Sequence, residues 1–340
     1  MIDLIKKYYQ AWETSNIELL NDVIHQKIYG VRTFNEDKFF TNEELLNNFL
    51  TNTLNTIKIA SYNTLNDTTI LELMINQKPV IAKITTKENR IYKVYEILKT
   101  DKRRIKCICL YDGSSYSGYQ KQLNAESIQG TIEATLKQIF KEDIPIHSSG
   151  RTDKGVHALN QVFHFDINSS IKVENIKKVL NSYLPDSIYI KTTEEVDFTF
   201  HSRYDVLVKK YQYKINTGEF NPIQRNYEWT INDFDITKFN TQLQSVIGTH
   251  DFASFTKKTD QSTVRTIHNA YLEHKDNYVY INIEGNGFLR YMVRNIVGAI
   301  IAINKGKLKY SVKELLELKD VTLIKDKAPS CGLYLYNVKY

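Results

Sequence analysis

Long apolar runs, cysteine pairs and phosphate-cradling glycine fingerprints are all scarce in this chain of 340 residues, and each scarcity removes a class of function. No uninterrupted apolar stretch approaches the ~18 residues of a membrane span, the longest candidate being the short Ile296–Ile303 region. The opening Ile2-Asp3-Leu4-Ile5-Lys6-Lys7 lacks the basic-then-apolar order and the small-residue cleavage site of a secretory signal. Three cysteines make no disulfide framework. Cys107 and Cys109 lie two apart in a strand-like run with Cys331 the remaining thiol, too few for a zinc site of about four N or S ligands. The thiols read as small buried hydrophobes. A reducing cytoplasm is therefore the expected location, with no membrane, metal or organic cofactor.

What is present is an ordinary globular composition, 42% hydrophobic and 25% charged, with a mild net charge of +6. The distribution of that charge says more than its sum. Residues 1–103 carry 14 basic against 13 acidic side chains, and the remaining 237 carry 31 against 26. The excess in the second stretch is compatible with a phosphate-rich partner and is too small to prove one. At roughly 150 residues per domain, two or three domains are expected.

Two modules follow different grammars. In residues 1–103, Leu4, Ile5, Tyr8 and Trp12 fall at helical spacing, and Ile17-Glu18-Leu19-Leu20 opens a second short helix. A strand-like Lys27–Phe34 leads to Thr41-Asn42-Glu43-Glu44, a capping-box pattern before Leu45, Leu46, Phe49 and Leu50. Strands are predicted over Ile57–Thr64, Thr69–Asn76, Val80–Thr86 and Ile91–Leu98. Helices followed by a meander imply helices on one face of a curved antiparallel sheet. This order, with Ile5-Lys6-Lys7-Tyr8-Tyr9-Gln10-Ala11-Trp12, resembles the SnoaL-like, nuclear-transport-factor-like fold, which implies a cone-shaped pocket. No paired carboxylate stands out there, so a small-molecule-binding or dimerisation role is expected before catalysis.

The polar Lys99–Arg104 stretch marks the boundary, giving modules at 1–103 and 104–340, the latter in two halves of roughly 104–205 and 206–340. Strands are predicted at Ile105–Tyr111, Gln161–Asp166 and Tyr211–Ile215, with a hairpin at Ala270–His274/Tyr278–Glu284. Helices are predicted over Ser127–Phe140, Met292–Asn304 and Phe239–Ile247, the last stopping at Gly248. The class is α+β, with a mixed or antiparallel sheet flanked by helices.

Chemistry concentrates in Gly150-Arg151-Thr152-Asp153-Lys154-Gly155-Val156-His157, a loop in which glycines permit backbone angles closed to other residues. A single Asp on such a loop suits nucleophilic or general-base work. Taken alone, it is better read as a turn or helix cap. Three further segments change that balance: Tyr111-Asp112-Gly113-Ser114-Ser115-Tyr116-Ser117-Gly118-Tyr119-Gln120, then Phe200-His201-Ser202-Arg203 with Lys209-Lys210-Tyr211-Gln212-Tyr213, then Gly287-Phe288-Leu289-Arg290-Tyr291-Met292-Val293-Arg294-Asn295-Ile296-Val297-Gly298. With the closing Ala328-Pro329-Ser330-Cys331-Gly332-Leu333, this ordered set resembles the tRNA pseudouridine synthase A family nearly end to end over residues 105–340. Tyr119 departs from the family's usual tryptophan.

The resemblance implies an isomerase that detaches the uracil of a uridine from C1′, rotates it and rejoins it through C5. It implies Asp153 as the essential carboxylate, either attacking the sugar or assisting glycal formation, with Arg294 paired to it and keeping it ionised. Tyr211 is implied as the aromatic face for the flipped base, and Arg151 as a residue inserted beside it or gripping phosphate. Arg203, Lys209, Lys210, Arg265 and Arg290 are candidate RNA contacts; His157 and His164 read as structural. The implied partners are tRNA, at anticodon stem-loop positions 38, 39 and 40, and a second copy of the chain. A non-catalytic RNA-binding protein and a bifunctional protein with an N-terminal ligand pocket are the competing readings.

Overall fold

The computed structural model describes residues 1–32, 38–41, 45, 56–259 and 262–340. The chain divides into two compact units, Met1–Lys102 with Asp197–Thr199, and Arg103–Val196 with Phe200–Tyr340. In the first unit, α1 (Ile2–Thr14) buries Ile5, Tyr8, Tyr9, Ala11 and Trp12, the stripe its spacing predicts. Asn16 caps α2 (Ile17–Val23) by accepting a hydrogen bond from the Leu19 amide at 2.9 Å. Six strands follow: β1 (Ile24–Arg32), β2 (Lys38–Thr41), β3 (Ile57–Leu65), β4 (Thr68–Ile75), β5 (Lys78–Lys87) and β6 (Arg90–Leu98), in sheet order β2-β1-β6-β5-β4-β3. The strand periodicity is a reliable guide here: along β4, Leu71, Leu73 and Ile75 are buried while Ile70, Glu72 and Met74 face outward. The expectation of a purely antiparallel sheet is corrected, because β1 pairs parallel with β6. The predicted helix led by Asn42, Glu43 and Glu44, through Leu46, Phe49 and Leu50, and the end of the Lys27–Phe34 strand, lie outside the described residues; Leu45 is helical and buried.

The second unit is built on a ten-stranded sheet. Its strands are β7 (Arg103–Tyr111), β8 (His147–Ser148), β9 (His157–Ile167), β10 (Ile188–Val196), β11 (Val208–Asn216), β12 (Trp229–Thr230), β13 (Gly248–Asp251), β14 (Val264–Lys275), β15 (Tyr278–Gly285) and β16 (Leu333–Lys339). The main order is β10-β7-β9-β16-β11-β15-β14-β13, with β8 paired to β9 and β12 to β11. Helices α3 (Ile128–Phe140), α4 (Val173–Tyr183), α5 (Ile236–Gln244), α6 (Met292–Asn304) and α7 (Val312–Leu318) pack with them. Helix α5 ends three residues short of the predicted Ile247, and Gly248, at φ +114°, opens β13 rather than closing the helix.

One pairing positions everything that follows. Strand β16, formed by the last residues of the chain, inserts between β9 and β11, parallel to the first through Tyr334↔His157 and antiparallel to the second through Tyr211↔Leu335. The loop before β9 and the middle of β11 are therefore brought to the same place, although some sixty residues separate them in sequence.

Candidate active site

The segment 111–119 forms a clamp on the Asp153 loop. The Tyr119 amide donates to the Thr152 carbonyl at 3.0 Å, and the Tyr111 and Thr152 hydroxyls meet at 2.8 Å. Gly113 passes so close that a Cβ there would lie 2.0 Å from the Val156 carbonyl oxygen, a backbone clash that no rotamer relieves. Below the loop, the Ser149 hydroxyl donates to the Gln161 side-chain oxygen at 2.6 Å, and the Gln161 amide nitrogen donates to the Gly150 carbonyl at 2.9 Å. Gly155, at φ +76°, completes the turn that presents Asp153. Gly113→Ala is expected to cost about 2 kcal/mol or more through this overlap. Calorimetry checks it: an unchanged Tm would mean that the two segments are not in contact.

Arg294 comes to Asp153 from the first turn of α6. Its Nη1 stands 3.5 Å from Asp153 Oδ2, and its Nε donates to the Ala328 carbonyl at 2.8 Å while the Ala328 amide donates back to the Arg294 carbonyl. Gly298, one turn on, makes this docking fit: a Cβ there would lie 2.3 Å from the Asp326 carbonyl oxygen. The pair is loose and both side chains are half-buried. Burial pushes the Asp153 carboxyl above the usual carboxylate range; Arg294, Arg290 and Lys327 pull the other way without cancelling it. The arginine favours the ionised form, but desolvation outweighs it.

Tyr211 lies on β11, 8% exposed, with its ring edge-on to Phe288 at 4.9 Å between centroids. Burial, and then the Asp153 charge, raise its phenol, so the two side chains share one environment. Tyr213, on the same face, is fully buried and donates its hydroxyl to the Pro329 carbonyl at 2.7 Å. Tyr213 is a packing residue.

The candidate cations separate by strand alternation. Lys209, two residues before Tyr211, turns inward and donates to the Ser149 carbonyl at 2.5 Å; burial, then Arg203 and Arg265, lower its ammonium to about 8. Arg151 is an exposed side chain close enough to Arg203 to feel its charge. Arg265 donates to the Ser262 and Val264 carbonyls, and burial lowers it. Arg290 is exposed over the Tyr291 ring. Arg203 is close enough to act on both Arg151 and Lys209, Arg265 acts on Lys209, and Arg290 acts on Asp153. Lys210 is the exception, on the other side of β11. Its ammonium bonds the Tyr271 hydroxyl at 2.9 Å, sits 4.7 Å from the Tyr336 ring centroid, and has Glu284 at 3.9 Å.

Sequence reasoning missed Tyr291 and Lys327, whose rings and charges adjoin Arg290 and Arg294. A lysine directly before Ala328-Pro329 was the only available signal, since the tyrosine's backbone angle is invisible in sequence. His157 meets the Gly113 amide at 3.2 Å and Asp112 Oδ1 at 3.2 Å through Nδ1, and the Asn226 carbonyl at 2.8 Å through Nε2; burial lowers its pKa. His164 stacks on His147 and meets His201 edge-on, with burial and then Arg104 lowering it. Among the described residues no group of three or more His, Cys, Asp or Glu side chains could hold a metal ion, and no helix is long and apolar enough to cross a membrane.

The clamped loop thus carries one carboxylate beside an arginine and a buried tyrosine, where β16 joins β9 to β11. A family model described as tRNA pseudouridine synthase matches residues 107–205 and 243–340. The tRNA pseudouridine synthase A of Exiguobacterium sp. is 41% identical over 242 residues, covering 70% of this chain and 98% of that one. That of Brevibacillus brevis is 39% identical over 246 residues, covering 70% and 100%. The chain belongs to the tRNA pseudouridine synthase family, and it is an enzyme of that class. Among solved structures, a putative polyketide cyclase from Sinorhizobium meliloti (10% identity, covering 28% of this chain and 93% of that one) and an NTF2-like protein from Cytophaga hutchinsonii (11%, covering 28% and 88%) each align with a TM-score of 0.25. That score carries no inference about activity.

Proposed function

We propose that this synthase isomerises uridines of the tRNA anticodon stem-loop, at positions 38, 39 and 40, with Asp153 as its nucleophilic or glycal-forming carboxylate. The observation that carries the reading is Asp153 paired with Arg294 and acting on the buried Tyr211, half-buried on a loop clamped from two sides. A carboxylate desolvated in this way is a stronger nucleophile than one in water, and Arg294 keeps enough of it ionised to act. Tyr211 supplies an aromatic face for the extruded uracil. Arg151, Arg203 and Arg265 form a cationic surface for the RNA backbone, whose shape rather than sequence selects the site, while Lys209, turned inward onto the Ser149 carbonyl, supports the loop. Lys210, engaged on the far side of its strand, is left out of that surface. A second copy of the chain is expected to share each tRNA, in the cytoplasm. Pseudouridine mapping in tRNA from cells lacking the protein tests the reading. Loss at 38, 39 and 40 is expected; an intact anticodon stem-loop with loss elsewhere would refute it.

The role of residues 1–102 follows as a prediction. Every residue placed at the site belongs to the second unit, and Arg103 already pairs there with Ile167 and bonds Glu195. A fragment spanning 103–340 is expected to fold and to isomerise tRNA within about threefold of the parent rate, since some 240 residues sustain a core. Its log K against log salt slope should match the parent's, because the removed stretch is nearly charge-balanced. A monodisperse fragment that binds tRNA but does not turn it over would make the N-terminal module catalytic.

A further inference from the structure

The positive charge around Asp153 exceeds what one carboxylate balances. Arg290, Arg294 and Lys327 all act on it, and among the described residues Arg294 alone of the three forms an ion pair. The three cations gather on one ring. Lys327 Nζ lies 4.1 Å from the Tyr291 centroid, the Arg290 guanidinium carbon 4.8 Å and that of Arg294 5.8 Å. An aromatic face attracts cations through its quadrupole yet neutralises none of their charge. The cluster therefore remains electrostatically open to an anion.

The backbone under that ring is an independent observation. Tyr291 has φ +67°, a left-handed conformation in which a bulky residue is an outlier. It is held there by the Asn295 amide donating to the Tyr291 carbonyl at 2.9 Å, and by the Met292 amide donating to the Leu289 carbonyl at 3.1 Å. The Thr256 hydroxyl adds a bond to the Arg290 carbonyl at 3.1 Å. Asparagine or glycine would take this angle more readily, so the ring is what a tyrosine adds there. Such outliers gather at ligand clamps.

We propose that Tyr291, Arg290 and Lys327 form a subsite for the phosphodiester beside the target uridine, a proposal that rests on the RNA reaction assigned above to Asp153. A nucleotide whose C1′ reaches Asp153 brings its own phosphate with it, one ribose away, into the reach of these cations. The ring gathers Arg290 and Lys327 while Arg294 pairs with the carboxylate, so the phosphate meets a preformed cradle. The subsite also gives a reason for preferring a uridine within a polynucleotide to free uridine, which carries no phosphate.

The test compares an anticodon stem-loop RNA with the same RNA carrying one uncharged methylphosphonate linkage, placed in turn on each side of the target uridine. The full-length parent, Lys327→Met, Tyr291→Asn and Tyr291→Phe are assayed with each. Lys327→Met and Tyr291→Asn are expected to raise KM about tenfold, with the salt slope falling by about 0.7–0.9 for the lost contact. Asparagine suits the left-handed backbone, so an unchanged Tm for Tyr291→Asn assigns its effect to the ring, and Tyr291→Phe should restore parent behaviour. At one linkage the methylphosphonate should cost the parent about tenfold and cost Lys327→Met nothing further. Equal penalties in parent and variant at both linkages would overturn the subsite, as would an effect confined to kcat. Binding of the same RNAs to Asp153→Asn separates the two readings: coupling that persists there, in a variant that still turns over, would leave the subsite standing and remove the catalytic assignment.

Discussion

Asp153→Asn is expected to bind tRNA within about threefold of the parent and to lose turnover by about 10³-fold or more, since the interaction removed is made with the reacting centre. The amide nearly matches the carboxylate in volume, and the loop's hydrogen bonds from Tyr119, Tyr111 and Gln161 involve Thr152 and Gly150 rather than the Asp153 side chain. The fold should therefore persist. Removing the charge also relieves its desolvation, and the pair it breaks is 3.5 Å long with both partners half-buried, so the two effects on stability oppose each other. A Tm within a few degrees of the parent is the expected result. Arg294 keeps its Ala328 anchor, leaving the cation in place around a neutral group. Single-turnover pseudouridine formation together with a direct Kd decides the matter. Turnover within tenfold of the parent would show that another group performs the chemistry.

How much of this site was legible in the sequence depends on how local each feature is. Helix α6 was readable to the residue over Met292–Asn304, because its apolar face is continuous and Arg294 sits in its first turn. The alternation of β4 and β11 was equally readable, and it already implied that Lys209 and Lys210 point to opposite faces; treating both as RNA contacts ignored that period. Gly248 misled because a glycine after an apolar run ends helices often, whereas here it starts a strand. The parallel pairing of β1 with β6 and the insertion of β16 between β9 and β11 are long-range choices that no window of sequence records. That second choice makes the site, and the sequence reading did not anticipate it. The left-handed backbone of Tyr291, and the gathering of Arg290, Arg294 and Lys327 on its ring, left no local trace.

Arg294→Gln should produce the second-largest loss, and its size should depend on pH in a direction fixed by the site. In the parent, burial raises the Asp153 pKa above its ordinary value, and Arg294 is the largest of the groups opposing that rise. Taking the guanidinium away removes the strongest lowering influence, so the folded-state pKa climbs further. The active form is the carboxylate, so activity falls as pH drops through that pKa. The acid limb of kcat/KM must then move to higher pH in the variant. At neutral pH the expected loss is about 10²-fold, combining the missing charge with a carboxylate no longer held in orientation. Well above the limb, the protonation part of the loss disappears and only the orientation part remains. Arg294→Lys separates the two: it restores the charge and should return the limb close to the parent's, while lacking the planar fork that binds Ala328 and Asp153 together. Rate profiles for the three proteins over the same pH range are the measurement. A limb that stays in place or moves to lower pH in Arg294→Gln would mean that the arginine does not act on Asp153, whatever the distance between them.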